Sequence, residues 1–224
     1  MMAILSDVHG NLPALDAVLR RIDALGCDTV YSLGDVAGYY CQVNECIDLL
    51  RERAIPHLMG NHDRYLAAGR ACPRSSSANV CLDFQRQAIR PDNLEWLSQA
   101  REALTVGDVS MVHGGWLDPV DEYLDRVEAD YFRGRPGRFF FSGHTHVQVL
   151  VDFGAQTYCN PGSVGQPRDG DPRAAFAWMD RGRITLERVA YDVDSIARAM
   201  NEAGFPSYFY NNLYYGTKIG GTRP

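Results

Sequence analysis

Lysine is almost missing from this 224-residue chain: Lys218 is the only one, and Ile219 follows it. A phosphate-binding loop of the Gly-Lys-Ser/Thr type is therefore excluded. Schiff-base catalysis from a buried core lysine is disfavoured for the same reason. No apolar run approaches the ~18 residues that a membrane-spanning helix requires. No Cys-x-x-Cys pair exists, so the six cysteines (27, 41, 46, 72, 81 and 159) support neither a zinc ribbon nor a redox motif. They read as reduced, mostly buried thiols of a cytoplasmic protein, because the first chemistry-bearing residue, Asp7, leaves no room for a removable leader. The formal net charge is −6, so a chain-wide basic footprint is lacking and long nucleic acid is disfavoured as a partner. No internal repeat or low-complexity segment interrupts an ordinary globular composition of 46% hydrophobic and 22% charged residues.

What is present reads as α/β. Residues 3–7 (AILSD) form a buried strand leading into His9-Gly10. Leu12, Leu15, Val18, Leu19, Ile22 and Leu25 have the spacing of one helix face, with Pro13 in the first turn and Gly26 as the stop. Strands over 29–33 and 55–59 flank a second helix marked by Val43, Cys46, Ile47 and Leu50, a βαβ pattern that implies a mostly parallel sheet. Residues 64–102 are more helical but irregular, since Leu82, Gln85, Arg86 and Ile89 make no clean apolar stripe. Strands follow at 103–107, 109–112, 138–142, 147–152, 156–159, 174–179 and 183–190, several joined by short glycine-containing links that read as hairpins. A parallel half followed by an antiparallel half suggests two sheets packed together with helices outside. A last helix is expected over 193–203. The chain reads as a single domain over 1–224. Its aromatic tail, about 205–224, reads as packing on that domain, with closure of a cleft or docking of a second subunit to form a homo-oligomer as the alternatives.

The histidines carry the chemistry. Five of the six follow or adjoin strand ends, in Asp7-Val8-His9, Gly60-Asn61-His62-Asp63, His113-Gly114 and Gly143-His144-Thr145-His146, and Gly34-Asp35 ends a further strand. Sites in open α/β sheets assemble at the carboxyl ends of strands, so these side chains can converge. Imidazoles, carboxylates and one amide oxygen suit divalent manganese, iron, zinc or nickel, manganese first, rather than calcium or magnesium. Two such ions bring four positive charges against two ligand carboxylates, which leaves charge for a hydroxide and an anionic phosphate.

In order and spacing these motifs resemble the calcineurin-like metallophosphoesterase superfamily. The segment Asn160-Pro-Gly-Ser-Val-Gly-Gln-Pro-Arg168 resembles a loop of its small bacterial and archaeal YfcE-like phosphodiesterase branch. The resemblance spans residues 7–168 and implies a four-layer α/β/β/α sandwich with two mixed β-sheets and a two-metal phosphoester hydrolase, a phosphodiesterase over a phosphomonoesterase. It places Asp7, His9 and His146 on one metal and Asn61, His113 and His144 on the other, with Asp35 bridging. His62 would face the substrate phosphate and protonate the leaving oxygen after attack by a metal-bridging hydroxide, and Asp63 would orient His62. The one departure, Gly38-Tyr39-Tyr40-Cys41 where relatives carry Gly-Tyr-Gly-Pro, touches the cleft rim and bears on substrate preference.

Smaller signals divide. His57 reads as a solvated or packed histidine rather than a ligand. Asn11 reads equally as a phosphate contact or as the cap of the first helix. Arg168 is a candidate phosphate clamp or an exposed turn arginine. The basic stretch Arg133–Arg138 reads as a solvated loop. Substrates consistent with the motifs are phosphorylated small molecules or nucleotides, among them cyclic nucleotides and dinucleoside polyphosphates, and also nucleic-acid ends or phosphoproteins. The rival readings are a metal-binding protein-interaction scaffold with weak or no activity, which would not need His62, and a phosphate or metal sensor, which would need an effector domain.

Overall fold

Alternation within the central strands explains how the layers stack. In strand β1 (Met2–Leu5), Ala3 and Leu5 face one core while Ile4 faces another; in β5 (Phe139–Phe141), Phe139 and Phe141 face that second core while Phe140 faces a third. Strands buried on both faces read as continuous apolar runs, and three cores imply four layers. The computed structural model describes residues 1–221. One sheet has the order β2 (Thr29–Ser32), β1, β8 (Ala174–Asp180), β9 (Arg183–Val189). The other runs β3 (Ala103–Val106), β4 (Val109–Val112), β5, β7 (Thr157–Pro161), β6 (Gln148–Asp152). Ile4, Leu33, Met111, Phe141, Cys159 and Ala177 fill the space between them. Helices α1 (Leu12–Leu25), α2 (Val43–Glu52) and, late in the chain, α7 (Val193–Glu202) belong to the large core on the far side of the first sheet. The outer face of the second sheet is covered by the single turn α6 (Ala129–Phe132), whose Phe132 packs with Phe140, Tyr158 and Trp116. The result is a four-layer α/β/β/α sandwich.

Two expectations about strands are corrected. Residues 55–59 form no strand; they make isolated parallel bridges, Ser32 with His57 and Leu58 with Arg101. Pro56 offers only its carbonyl, taken by Ser32 N–H, so a continuous ladder has no donor there. Parallel and antiparallel pairs also do not separate by half. The late hairpin β8–β9 joins the early parallel pair β1–β2, and β4, β5 and β7 run parallel in the second sheet. That hairpin turns on Arg181 and Gly182, both at positive φ, the conformation that a tight two-residue link demands.

The irregular middle resolves into α3 (Asn61–Ala67), α4 (Ser76–Ala88) and α5 (Pro91–Ser98). Its stripe is broken because a polar residue occupies a core position. Gln85 is fully buried, donating to the Tyr40 carbonyl (2.6 Å) and accepting from Gly38 N–H (2.9 Å), so it ties α4 to the loop after β2. Of the tail, Phe205, Leu213 and Ile219 lie in the large core, Tyr208, Tyr214 and Tyr215 are exposed, and residues 222–224 lie outside the described residues. Within the basic stretch, Arg135 lies over the Tyr131 ring and Arg138 over Phe139. No helix among the described residues is long and apolar enough to cross a membrane.

Candidate metal centre

Loops at the carboxyl ends of β1, β2, β4 and β5, with the start of α3, carry all seven expected ligands to one buried place. Asp7, His9, Asp35, Asn61, His113, His144 and His146 are each at most 3% exposed. Asp7, His9 and His146 form one group whose donor atoms lie within 4.8 Å of each other, and Asp35, His113 and His144 form a second. Asn61 joins the second, its Oδ1 3.2 Å from His113 Nε2. Asp35 Oδ2 faces both groups, 3.8 Å from His9 Nε2 and 3.4 Å from His113 Nε2.

Backbone hydrogen bonds orient the rings. Nδ1 of His9 donates to the Ala37 carbonyl (2.7 Å), that of His113 to Leu33 (3.1 Å) and that of His146 to Gln166 (2.6 Å). With Nδ1 so engaged, Nε2 is the ring nitrogen that each of the three turns inward. His144 is reversed, with Nδ1 inward and Nε2 3.6 Å from Asp121 Oδ1. Each carboxylate is held by one oxygen only. Asp7 Oδ2 accepts from His144 N–H and Asp35 Oδ1 from His62 N–H, whereas Asp7 Oδ1 and Asp35 Oδ2 are buried without a hydrogen-bond donor. Buried anionic oxygens without a donor are costly unless a cation sits against them, so the donor set fits divalent metal.

The backbone is bent to this purpose. Asp7, His9, Asp35, His144 and His146 all have φ between 53° and 68°, a conformation that non-glycine residues seldom adopt and that clusters at functional sites. Glycines allow the approach: a Cβ at Gly60 would lie 2.0 Å from Asp35 Oδ1, and one at Gly38 (φ +131°) 2.3 Å from His9 Nδ1. Burial pushes the pKa values of His9, His144 and His146 down. For Asp7, burial acts upward but the His146 ring outweighs it, holding the carboxyl well below its usual range. Burial pushes Asp35 up to about 6. In His113 burial acts downward, yet Asp35 overcomes it and raises the ring to about 9.

The remaining expected residues separate. His62 lines a cleft of about 330 Å³ beside the cluster, 5% exposed, with Nδ1 buried and unpartnered. Burial and the nearby Arg168 guanidinium push its pKa down to about 3. Arg168 lines the same cleft, gripped by Gln166 Oε1 and stacked over Tyr39, so it is no exposed turn arginine. Asp63 does not bond His62. Its Oδ2 accepts from Asp35 N–H (2.7 Å), Gly60 N–H (3.1 Å) and His57 Nε2 (2.9 Å), and its Oδ1 from Ala37 N–H (2.9 Å). Geometry accounts for this: at the third position of α3 the carboxylate turns back over the helix start, away from the His62 ring. Asn11 is the N-cap of α1. Its Oδ1 accepts from Ala14 N–H and its amide donates to Gly165 O and Tyr191 Oη, which leaves no donor for substrate.

Four participants had no sequence signal of their own. His57, read as a solvated or packed histidine, is the anchor of Asp63 and stacks on Trp96. Tyr39 packs its ring 4.8 Å from His9, Tyr123 lies 3.9 Å from His144, and Asp121 approaches that ring's outer nitrogen. Tyr39 sits in the one segment that departs from the family pattern, while Asp121 and Tyr123 lie in a loop with no periodicity to read.

The chain is similar to known proteins over nearly its whole length. It is 33% identical to a structurally determined metallophosphoesterase from Sphaerobacter thermophilus, with 96% of this chain and 98% of that one covered and a TM-score of 0.85. It is 29% identical to an uncharacterized protein of Methanocaldococcus jannaschii over 96% of this chain and 98% of the relative. It is 26% identical to the phosphodiesterase YfcE of Escherichia coli over 81% and 88%. A family model, the calcineurin-like phosphoesterase superfamily domain, matches residues 1–182, the region that supplies every side chain of the buried cluster. With fold, ligand geometry and sequence match in agreement, the chain belongs to the calcineurin-like phosphoesterase superfamily.

Proposed function

We propose that this protein is a dinuclear-metal phosphoester hydrolase, a phosphodiesterase in preference to a phosphomonoesterase, acting in the cytoplasm on a phosphorylated small molecule or nucleotide. The observation that carries the reading is the pair of donorless carboxylate oxygens, Asp7 Oδ1 and Asp35 Oδ2, set within a ring of inward-facing imidazoles. Asp7, His9 and His146 would hold one divalent ion, Asn61, His113 and His144 the other, and Asp35, which faces both groups, would bridge them. Manganese is the ion we assign. Such a pair, when bound, neutralises charge on the phosphoryl oxygens and activates water. Six free thiols support a reducing compartment.

The chain's own residues do the rest. Arg168, pinned by Gln166 and Tyr39, presents a preorganised guanidinium to the phosphate. His62 is neutral in the free cleft. An entering phosphate places negative charge beside the ring, raises its pKa and makes it competent to hand a proton to the leaving oxygen. Walls drawn from Tyr39, Tyr123 and Ile219 limit water around that proton. Asp63 acts at one remove by holding the loop that carries Asp35 and Asn61.

Protein stripped by chelator is expected to be inactive toward bis-p-nitrophenyl phosphate, to bind two equivalents of manganese and to regain turnover with it. Undetectable turnover with every divalent ion tried, at full metal occupancy, would leave the protein-interaction scaffold as the better reading.

A further inference from the structure

The family match ends at residue 182, yet the cleft beside His62 is partly walled by residues from far beyond it, Lys218 and Ile219. This is the chain's only lysine. Its segment is fastened to loops of the site itself. Asn212 donates to Tyr40 Oη (3.1 Å) and to the Thr217 carbonyl (2.9 Å), the Gly216 carbonyl accepts from Gly170 N–H (3.0 Å), and Ile219 is buried in the core. The Lys218 ammonium itself has no hydrogen-bond or ion-pair partner among the described residues.

Three cationic side chains line the cleft, one of them, Arg74, already ion-paired with Asp121. Arg168 and His62 both line it, with Arg74 and Lys218 as further lining cations, whereas no carboxylate lines the cleft among the described residues. Arg74 is held in place by Asp121 and by the Tyr123 ring 5.3 Å away. Ser76 and Ser77, in the first turn of the 13-residue α4, add hydroxyls and the positive end of a helix dipole. His62, whose buried Nδ1 has no hydrogen-bond partner, lines the same cleft. A volume of about 330 Å³ lies at the small end for ligand sites, which suits a metabolite and not a macromolecule.

From this we infer that residues 212–219 complete a second anion subsite, formed by Lys218, Arg74 and the start of α4, and that the substrate is a small phosphoester bearing a further phosphate group. The inference rests on the phosphoester reading above for the first phosphate. A second phosphate would take the unpaired ammonium and the serine donors while His62 and Arg168 engage the scissile one.

Calorimetric titration at fixed free manganese tests it, with orthophosphate and tripolyphosphate as probes. Wild-type protein is expected to bind tripolyphosphate at least tenfold more tightly than orthophosphate. Lys218→Ala should weaken tripolyphosphate about five- to tenfold and orthophosphate less than twofold, and Lys218→Arg should restore the preference. Equal losses for the two anions, or no loss for either, would overturn the subsite. ATP and a sugar bisphosphate, titrated in parallel, separate a nucleotide from a sugar as the carrier of the second phosphate. Preference for tripolyphosphate that survives without any phosphodiesterase turnover would fail the proposed reaction and keep the subsite; turnover without the preference would do the reverse.

Discussion

Asp63→Asn isolates what the buried carboxylate at the start of α3 does. Three of its four bonds converge on Oδ2, from Asp35 N–H, Gly60 N–H and His57, and the fourth, Ala37 N–H, goes to Oδ1. Asparagine can keep the Oδ2 role, but its NH₂ then meets the Ala37 N–H, donor against donor, inside a fully buried site. One charge-assisted bond is lost and one N–H is left without a partner, which together cost about 2–3 kcal/mol. Asp63→Ala would strand three backbone N–H groups and cost about 4–6 kcal/mol, close to the whole stability of many domains, so asparagine is the usable variant. With a urea m-value of about 3 kcal/mol/M at this length, the unfolding midpoint should fall by about 1 M. The pH dependence has a sign. Burial acts to raise the Asp63 pKa, but His57 and the backbone donors outweigh it, and the folded value lies below the ordinary 3.8. Its contribution is therefore present above that ordinary value and is lost as pH falls through the lower folded one. The gap between wild type and variant should accordingly narrow below about pH 4. Because the carboxylate organises the backbone of Asp35 and Gly60, the variant should also lose manganese affinity. A variant with unchanged urea midpoint and metal affinity but reduced kcat would refute this account and return Asp63 to the role of orienting His62.

Two further variants separate roles that the sequence left entangled. His62→Ala should keep two equivalents of manganese by atomic emission while kcat falls about 10²- to 10⁴-fold; loss of one equivalent would mean that the ring is a ligand. Asn11→Ala should lower stability by about 1–2 kcal/mol in urea, the effect of a lost cap, and leave KM for bis-p-nitrophenyl phosphate within twofold; a KM raised tenfold at unchanged stability would reinstate it as a substrate contact.

Legibility followed the reach of each interaction. Helix α1 was readable end to end, since its apolar face, Pro13 and Gly26 are all local, and the left-handed Gly26 stands where the stop was expected. Residues 55–59 looked like a strand because their apolar pattern is strand-like, but Pro56 and the absence of a continuous partner reduce them to two bridges. Gln85 hid a core position, since its burial depends on backbone groups of Gly38 and Tyr40, which no helical periodicity encodes.

For the site, sequence by itself determined which donor types are available. Ligand-type residues after four strands and at the start of α3, together with the spacing of the motifs, point to the side chains that meet, because a parallel strand delivers its carboxyl end to one edge of the sheet whatever lies between. Tertiary structure decided how they meet. It set which ring nitrogen faces inward, which carboxylate oxygen is left free, that Asp63 answers to His57 and not to its neighbour His62, and that Lys218 returns to the cleft from beyond the matched domain. Those choices rest on backbone carbonyls, amides and loops far away along the chain, which come into contact only once the chain has folded.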